Sequence, residues 1–353
     1  MIKFNFKVLG IMSGTSLDGI DIINVNFSYN KHWSFKILNA ETIEYSTQWK
    51  STLSQLVTMP MDQLEILDSN YSEYLASVIL DFINNNSIKS IDFIASHGHT
   101  ALHQPENGLT YQIGNQQLLA NKLNQKVICD FRVQDVALGG QGAPLVPIGD
   151  RLLFSDYEFC LNLGGFANIS YELNNERIAF DICPVNIVLN YYVSKLGLNY
   201  DDKGDIALTG NINQNLLFQL NKLNYYNEAP PKSLGLEWVD LNIFPLIDSF
   251  YLKTEDILRT FVEHIAIQIS KVLIKSDTKV LVTGGGVFNE FLMNRIRNFS
   301  KSEVIIPTRE IIEYKEALIF GLLGVLKDRN EVNCLKSVTG AKRDHSSGVI
   351  YTV

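Results

Sequence analysis

Hydrophobic and polar positions alternate along two early stretches of the chain and predict two strands. The first is "FKVLGIM". The second is "IDIINVNF", which directs Ile23, Val25 and Phe27 to one face and Asn24 and Asn26 to the other. The glycine-rich run "SGTSLDG" joins them. A P-loop and a dinucleotide-binding turn both need a helix after the glycines, and a P-loop also needs a Gly-Lys pair. The pattern therefore predicts a strand–turn–strand hairpin and excludes both of those motifs.

Apolar residues that recur every three or four positions predict helices elsewhere. The first helix runs from Met61 to Phe82, and "GNQQLLANKLN" predicts another. "TEDILRTFVEHIAIQISKVLI" predicts a long helix with Thr254 as its N-cap. "YKEALIFGLLGVL" predicts a helix whose small residues suit close packing between domains, and further strands are predicted at "SIDFIAS", "KVICDFR" and "EVIIP". This alternation predicts an α/β fold throughout.

The strand–turn–strand pattern returns at "EFCLNLGGFANISYEL", with Gly164 and Gly165 at the bend. Two such hairpins about half a chain apart predict an internal duplication. A third glycine cluster, "TGGG", follows a predicted strand. The helix predicted after it carries four apolar residues on one face: Phe288, Leu292, Ile296 and Phe299.

The turn-rich segment "DVALGGQGAPLVPIGD" predicts a crossing between two domains. We therefore expect an N-terminal domain over residues 1–135, rejoined by residues 330–353, and a C-terminal domain over residues 136–329.

Composition narrows the class of protein. The chain has 353 residues, 46% of them hydrophobic and 19% charged, which is typical of a globular protein of two domains or one large domain. Its formal net charge of −8 argues against a protein that coats nucleic acid. The four cysteines are scattered, no apolar run is long enough to span a bilayer, and "MIKFNFKVLG" lacks the apolar core of a signal peptide. We expect a reduced cytoplasmic protein with neither nucleic-acid nor membrane partners.

The first hairpin offers groups that suit phosphate. Gly14, Thr15, Ser16 and Gly19 supply backbone N–H groups and hydroxyls, and the glycines permit close approach of a ligand. The carboxylates of Asp18 and Asp21 would repel phosphate unless one of them holds a hydrated Mg²⁺. The alternative is an ordinary hairpin closed by Asp-Gly turn chemistry.

Asp181, in "AFDICPVN", is a candidate general base beside the γ-phosphate of a nucleotide. The alternative, favoured by the spacing alone, is an aspartate at a strand end that caps the helix predicted at "VNIVLNYYV".

Three histidines, His97, His99 and His103, lie in "SHGHTALHQP". Their spacing is not that of a zinc motif, which favours polar substrate-binding groups on a loop at a strand end. His264 lies on an amphipathic helix and is expected at the surface or at the edge of the core.

Arg132 lies between Asp130 and Asp135 in "CDFRVQD". An arginine there could bind a substrate carboxylate through two parallel hydrogen bonds, or it could form a local ion pair with either aspartate. The loop "DDKGDIALTG" leaves a similar choice, because Lys203 and Asp205 could pair in a solvated turn or face a ligand.

Taken together, these stretches resemble the anhydro-N-acetylmuramic acid kinases of bacteria, a family of the actin, Hsp70 and sugar-kinase fold group. The resemblance covers nearly the whole chain, and its motifs occur in the family's order: "GIMSGTSLDGID", "SHGHT", "LHQP", "CDFRVQDVALGGQGAPLVP", "LNLGGFANIS", "AFD", "PVN", "PPKSLGLEW", "VTGGGVFNEFLMNRI" and "SVTGA". It implies two ribonuclease-H-like domains with an ATP cleft between them. It also implies a kinase of peptidoglycan recycling, in which water opens the 1,6-anhydro ring and O6 accepts the γ-phosphoryl of ATP.

The resemblance implies a role for each matching residue. Asp181 is the catalytic base, and Asp18 is the Mg²⁺ site, reached through water. The nucleotide-binding residues are Gly14, Thr15, Ser16, Leu17, Asp18, Gly19, Ile20, Asp21, Gly164, Gly165, Gly284, Gly285 and Asn289. The residues that bind the amino-sugar substrate are His97, Thr100, Arg132 and Asn186, with Arg132 on the lactyl carboxylate. Members of the family commonly form homodimers.

The chain departs from the family pattern at two places. Cys183 and Val185 replace glycines around the proline that follows the catalytic aspartate, and His99 replaces a glutamine. If those glycines need a positive φ, the loop beside the base would change shape. The competing functions are another enzyme of the same fold, either a kinase for a different sugar or a hydrolase without transfer, an actin-like nucleotide-binding module that moves a partner, and a degenerate scaffold protein. A neutral sugar would give Arg132 no carboxylate to bind.

Overall fold

A computed structural model describes residues 3–353. Its strands are, in chain order, β1 (Asn5–Ser13), β2 (Gly19–Asn30), β3 (His32–Glu44), β4 (Phe93–Gln104), β5 (Leu109–Ile113), β6 (Val127–Cys129), β7 (Phe159–Leu163), β8 (Phe166–Leu173), β9 (Glu176–Pro184), β10 (Lys279–Thr283), β11 (Glu303–Ile305) and β12 (Val349–Tyr351).

The α-helices follow the same numbering. They are α1 (Thr47–Leu53), α2 (Met61–Asn85), α3 (Gln117–Leu123), α4 (Val133–Ala137), α5 (Val146–Leu153), α6 (Asn186–Ser194), α7 (Asp205–Thr209), α8 (Gln214–Asn221), α9 (Leu236–Asn242), α10 (Phe244–Asp248), α11 (Thr254–Ser270), α12 (Glu290–Phe299), α13 (Arg309–Asp328) and α14 (Lys336–Thr339). Between residues 3 and 353, no helix combines the length and the apolar character needed to cross a membrane.

The chain forms two compact units. The first comprises the chain up to Leu153 together with Tyr314–Val353, and the second is Phe154–Glu313. The sequence instead predicts boundaries after residues 135 and 329. Helix α5 accounts for one difference, because a side-chain Cβ at Gly149 would lie 2.5 Å from Ile319, which is also in the first unit.

The two units contain sheets of the same order. In the first, β3, β2 and β1 form an antiparallel meander, and β4 and β6 extend it in parallel with β1; β12 then pairs with β6, and β5 with β4. In the second, β9, β8 and β7 form the meander, and β10 and β11 extend it in parallel. This order, 3-2-1-4-5 in each unit, is the ribonuclease-H-like arrangement that the resemblance implies. The predicted α/β class and the two glycine hairpins are confirmed.

Each unit has its own apolar core. In the first, α2 contributes residues three or four positions apart, Leu64, Tyr71, Leu75 and Phe82, as its amphipathic pattern predicts. In the second, α11 is buried along its length against β9 and the helices α6, α7, α8 and α12. Burial of these apolar faces is the main stabilising contribution in each unit.

Three sequence predictions about helices need correction. Thr254 is the first residue of α11, whereas Lys253 is the N-cap. Phe288 lies before α12 and is 48% exposed, so this helix does not carry four buried apolar residues. Helix α13 uses its small residues within the first unit, where a Cβ at Gly324 would lie 2.6 Å from the Cβ of Ala95 on β4.

The sequence predicts His264 at the surface or at the edge of the core, and this prediction is wrong. It is fully buried on α11, where Nδ1 donates to Oδ1 of Asn221 (2.8 Å) and Nε2 accepts from the hydroxyl of Tyr226 (2.9 Å). Burial lowers its pKa to about 3, so the imidazole stays neutral. Two polar partners from elsewhere in the chain complete this environment, and the helical pattern alone does not predict them.

Candidate active site

The turn between β1 and β2 projects polar groups into solvent. Thr15, Ser16 and Asp18 are exposed, and the N–H of Leu17 donates to the carbonyl of Gly14 (3.3 Å). Leu17 has a φ of +60°, a left-handed conformation that costs a leucine roughly 1–2 kcal/mol. Backbone held in this way at a polar turn is typical of ligand-binding loops.

The other predicted nucleotide-binding positions of this hairpin lie within the sheet. The side chain of Ile20 is fully buried in the core, and a Cβ at Gly19 would lie 2.5 Å from the carbonyl oxygen of Ile43. Asp21 is on β2, where Oδ1 accepts from the hydroxyl of Thr42 (2.6 Å). The side chains that project from the turn are therefore those of residues 15, 16 and 18.

A buried chain of hydrogen bonds anchors the start of this turn. The hydroxyl of Ser13 contacts Nδ1 of His99 (2.7 Å) and the hydroxyl of Tyr45 (2.5 Å), which contacts the hydroxyl of Tyr71 (2.7 Å). Burial lowers the pKa of His99 to about 4, so this histidine is neutral near pH 7. His99, one of the departures from the family pattern, thus helps to hold Ser13 at the start of the turn through a buried hydrogen bond.

The segment "SHGHTALHQ" is strand β4 and not a loop, which corrects the sequence prediction. Its outer part pairs with β5, and the register shifts between Thr100 and Leu102. Gly98, at a φ of +72°, begins the irregular part. Thr100 is half-buried on this strand.

Arg132 is held by groups other than the two aspartates beside it. Its Nε donates to Nε2 of His97 (2.8 Å), and Nη1 donates to the carbonyl of Gly142 (2.6 Å). Among residues 3–353, no carboxylate forms an ion pair with it, so the local ion-pair alternative is wrong. Its Nη2 group makes no hydrogen bond to any described residue. Burial lowers the pKa of Arg132 to about 10, at which it is still a cation near pH 7.

His97 is the buried acceptor that orients this guanidinium. Its Nδ1 donates to the carbonyl of Gly98 (2.9 Å), which fixes the tautomer and leaves a lone pair on Nε2 for Arg132. Burial and the Arg132 charge hold the pKa of His97 well below its usual value, and its ring packs on Phe320. His97 and Arg132, both predicted to bind substrate, therefore lie together in the first unit.

Asp181 lies inside β9 in the second unit, half-buried. Its Oδ2 accepts from the backbone N–H of Leu234 (2.9 Å), and its carbonyl accepts from the hydroxyl of Tyr225 (2.6 Å). The carboxylate does not cap α6, which corrects that alternative. Burial raises the pKa of Asp181, although the hydrogen bond from Leu234 opposes the shift. The second oxygen, Oδ1, accepts no hydrogen bond from the described residues.

The residues beside Asp181 do not need to be glycines here. Cys183 continues β9 and pairs with Ala167, and Val185 has a φ of −130°. Neither residue has a positive φ. The two departures from the family pattern are thus compatible with this backbone.

The glycine turns of the second unit surround the start of α6. The N–H groups of Val185 and Asn186 donate to the carbonyls of Gly165 (2.8 Å) and Gly164 (3.3 Å). The side-chain amide of Asn186 donates to the carbonyl of Leu163 (3.3 Å). Asn186 is predicted to bind the sugar, but it lies beside Gly164 and Gly165, which are predicted to bind the nucleotide.

A cavity of about 490 Å³ opens beside these turns. Its walls carry exposed aromatic rings, amides and charged groups: Asn186, Leu189, Asn190, Tyr200, Asp201, Asp202, Lys203, Gly285, Gly286, Phe288, Asn289 and Arg309. Gly284, with a φ of +86°, makes the sharp turn into this wall, where a Cβ would lie 2.6 Å from Oδ1 of Asn162. A Cβ at Gly285 would meet no atom within 4 Å, so this side of the turn is open to a ligand. From the loop "DDKGDIALTG", Lys203 lines the cavity and its Nζ lies 3.8 Å from Oε1 of Glu290, whereas Asp205 is not part of the wall.

Sequence reasoning did not identify several of these residues as part of a site, among them Tyr200, Phe288 and Arg309. Tyr200, Phe288 and Arg309 lie far apart along the chain, and the guanidinium of Arg309 lies 6.0 Å from the ring of Phe288. Phe288 lies two residues after "TGGG", and this spacing is a local signal for the wall. Asn289 also caps α12, since its Oδ1 accepts from the N–H of Leu292 (2.9 Å).

Comparison with known proteins places the whole chain in one family. The family model described as anhydro-N-acetylmuramic acid kinase matches residues 6–353. The anhydro-N-acetylmuramic acid kinase of Sulfurimonas denitrificans is 33% identical over 97% of this chain and 98% of the relative. That of Aliivibrio fischeri is 33% identical over 98% of this chain and 99% of the relative. The chain belongs to the anhydro-N-acetylmuramic acid kinase family and is a phosphotransferase.

Proposed function

We propose that the protein converts 1,6-anhydro-N-acetylmuramic acid, ATP and water to N-acetylmuramic acid 6-phosphate and ADP, as a step of peptidoglycan recycling. The observation that carries this proposal is the match to one kinase family over almost the entire chain. In the reaction, water attacks the anomeric carbon, the bond from that carbon to O6 breaks, and O6 takes the γ-phosphoryl group. The departing water proton goes to a base.

We assign that base to Asp181. Its raised pKa suits proton transfer better than that of an ordinary exposed carboxyl group, because a base works best when its pKa approaches the working pH. The hydrogen bond from Leu234 occupies Oδ2, which leaves Oδ1 to accept the proton. Since the proton acceptor must reach the attacking water, replacement of this carboxylate is expected to affect turnover more than nucleotide binding.

We assign the nucleotide to the glycine turns and to the cavity beside them. The volume suits a nucleoside, and the wall offers the mixture of aromatic and polar groups that cofactor pockets usually combine. The open face of Gly285 fits a ligand that approaches the backbone closely. The exposed hydroxyls and N–H groups of residues 14–16 suit phosphate oxygens. Mg²⁺ would neutralise phosphate charge, and the exposed carboxylate of Asp18 could hold it through water.

We assign the lactyl carboxylate of the sugar to Arg132. Two of its five N–H groups are engaged by His97 and Gly142, and the rest remain for a planar acceptor. A buried neutral histidine keeps the guanidinium in one orientation, which reduces the entropy lost when the carboxylate binds. His97 therefore acts as a positioning residue.

A comparison of two sugars tests the coupling of ring opening to phosphoryl transfer. The purified protein is incubated with ATP and Mg²⁺ and either the anhydro sugar or free N-acetylmuramic acid, and ADP formation is followed. We expect rapid turnover of the anhydro sugar and little of the free sugar, although the free sugar already has an O6 hydroxyl. Equal turnover of the two would indicate an ordinary sugar kinase, which is the main competing function.

A further inference from the structure

Three side chains of the types that bind metal ions meet inside the first unit. They are Asp135 on α4 and, from the C-terminal segment, Cys334 and His345, all almost fully buried. One ligand atom of each lies within 4.8 Å of the other two. No step of the proposed reaction uses this group, and it is separate from the histidines of β4.

The backbone brings the cysteine and the histidine side by side. Cys334 and His345 form an isolated antiparallel bridge, in which each N–H donates to the carbonyl of the other residue (3.1 and 3.2 Å). Directly paired residues project to the same side of such a bridge. Sγ of Cys334 lies 3.0 Å from Oδ1 of Asp135, and Nε2 of His345 lies 3.6 Å from the same oxygen.

His345 supplies the observation that points to a ligand. Its Nδ1 lies 3.1 Å from the carbonyl oxygen of Arg343, so Nδ1 carries the proton that donates to this oxygen. In the neutral ring, Nε2 is then an unprotonated lone pair. Nε2 is buried and has no hydrogen-bond partner among the described residues. A lone pair that faces a carboxylate oxygen is unfavourable unless a proton or a metal cation lies between them.

We propose that Asp135, Cys334 and His345 form a zinc-binding site. A thiolate, an imidazole and a carboxylate are the protein ligands of zinc, and a histidine that donates its other N–H to a backbone carbonyl is typical of a zinc ligand. Zinc distances to these atoms place the ligands of a tetrahedral ion roughly 3.3–3.6 Å apart. The 3.6 Å between nitrogen and oxygen already fits. The shorter contact of Cys334 is that of a thiol donor, and it lengthens when zinc replaces the thiol proton.

A zinc ion at this site would stabilise the loop around Gly142, which orients Arg132. Oδ2 of Asp135 accepts from the N–H of Gly142 (2.7 Å), and the carbonyl of Gly142 accepts from Arg132. The hydroxyl of Thr339 donates to Oδ1 of Asp135 (2.7 Å) and so holds the carboxylate in place. Zinc would thus act structurally, and the inference holds whichever sugar the protein phosphorylates.

Cobalt(II) titration of the full-length, tag-free protein, after removal of metal with a chelator, tests the proposal. We expect one equivalent to bind, with a thiolate-to-cobalt charge-transfer band and strong visible d–d bands, and we expect zinc to displace it. Cys334→Ser should abolish the charge-transfer band, and His345→Gln should weaken binding at least tenfold. Cys129→Ser, at a buried cysteine of β6, is the matched control and should keep the band.

Wild-type protein that binds no stoichiometric cobalt would overturn the proposal, as would binding without a thiolate band. A band that persists in Cys334→Ser would also overturn it. Because the wild-type titration is decisive by itself, the proposal does not depend on the stability of the variants.

Discussion

Arg132→Ala should reduce catalysis for a sugar with a lactyl carboxylate and leave a sugar without it nearly unaffected. In the structure, the guanidinium is a cation whose Nε and Nη1 are fixed by His97 and Gly142. Its Nη2 and the second proton of Nη1 form a fork that matches two carboxylate oxygens. The alanine variant removes both of these charge-assisted hydrogen bonds.

The expected magnitude follows from these two bonds. A hydrogen bond to a charged group contributes about 1.5–3 kcal/mol. Arg132 is only partly buried, so we take the lower value for each bond and expect a loss of about 3 kcal/mol, or about 150-fold in kcat/KM. The loss should appear mainly in KM for the sugar, because the carboxylate is remote from the bonds that change. Arg132→Lys keeps the charge but not the fork, and should lie between the wild type and alanine.

The assay measures kcat/KM for 1,6-anhydro-N-acetylmuramic acid and for 1,6-anhydro-N-acetylglucosamine, which lacks the lactyl group. Arg297→Ala, an exposed substitution on α12 with the same charge change, is the control and should behave as the wild type. Equal losses for the two sugars in Arg132→Ala would refute the reasoning, and would mean that this arginine supports the fold of its loop.

Three further predictions concern the same sites. His97→Leu should raise the sugar KM about tenfold, since Arg132 loses its acceptor. His97→Gln keeps an acceptor oxygen and should raise the KM less. Identical kinetics in the two variants would contradict a positioning role for His97. Asp181→Asn should abolish turnover but keep the free energy of unfolding, or increase it, at pH 7. Because the pKa of Asp181 is raised in the folded state, the folded wild type loses stability as pH rises through that pKa. The advantage of asparagine should therefore disappear in acid. Urea unfolding of the wild type and the variant at pH 7 and at acid pH checks this sign. Phe288→Ala should raise the KM for ATP about fivefold through loss of an aromatic contact of about 1 kcal/mol, whereas Phe218→Ala, at another exposed ring, should not change it.

Local patterns were enough to predict the elements that carry the site. The strand patterns on either side of "GTSLDG" and "LGG" predict both hairpins, because successive residues of a strand point to opposite faces of the sheet. The repeat of that pattern predicts the duplication, and the common order of the two sheets confirms it. The strands and turns of these hairpins could be predicted because residues close together in the sequence determine them.

Features that depend on distant contacts could not be predicted in the same way. His97 was expected to bind substrate, but its role as acceptor for Arg132 depends on a residue 35 positions later on another element. The pattern of α11 predicts His264 near the surface, because nothing in this helix indicates that Asn221 and Tyr226 cover it. The wall of the cavity likewise combines Tyr200 with Phe288, which no spacing rule connects.

The mass of the sugar product tests the central claim most directly. The purified protein is incubated with 1,6-anhydro-N-acetylmuramic acid, ATP and Mg²⁺, and the sugar is analysed by mass spectrometry beside an Asp181→Asn sample. The account predicts a product heavier than the substrate by one water and one phosphoryl group, formed in proportion to ADP and absent with the variant. A product that gains only the phosphoryl group, or ADP released without any sugar product, would contradict it.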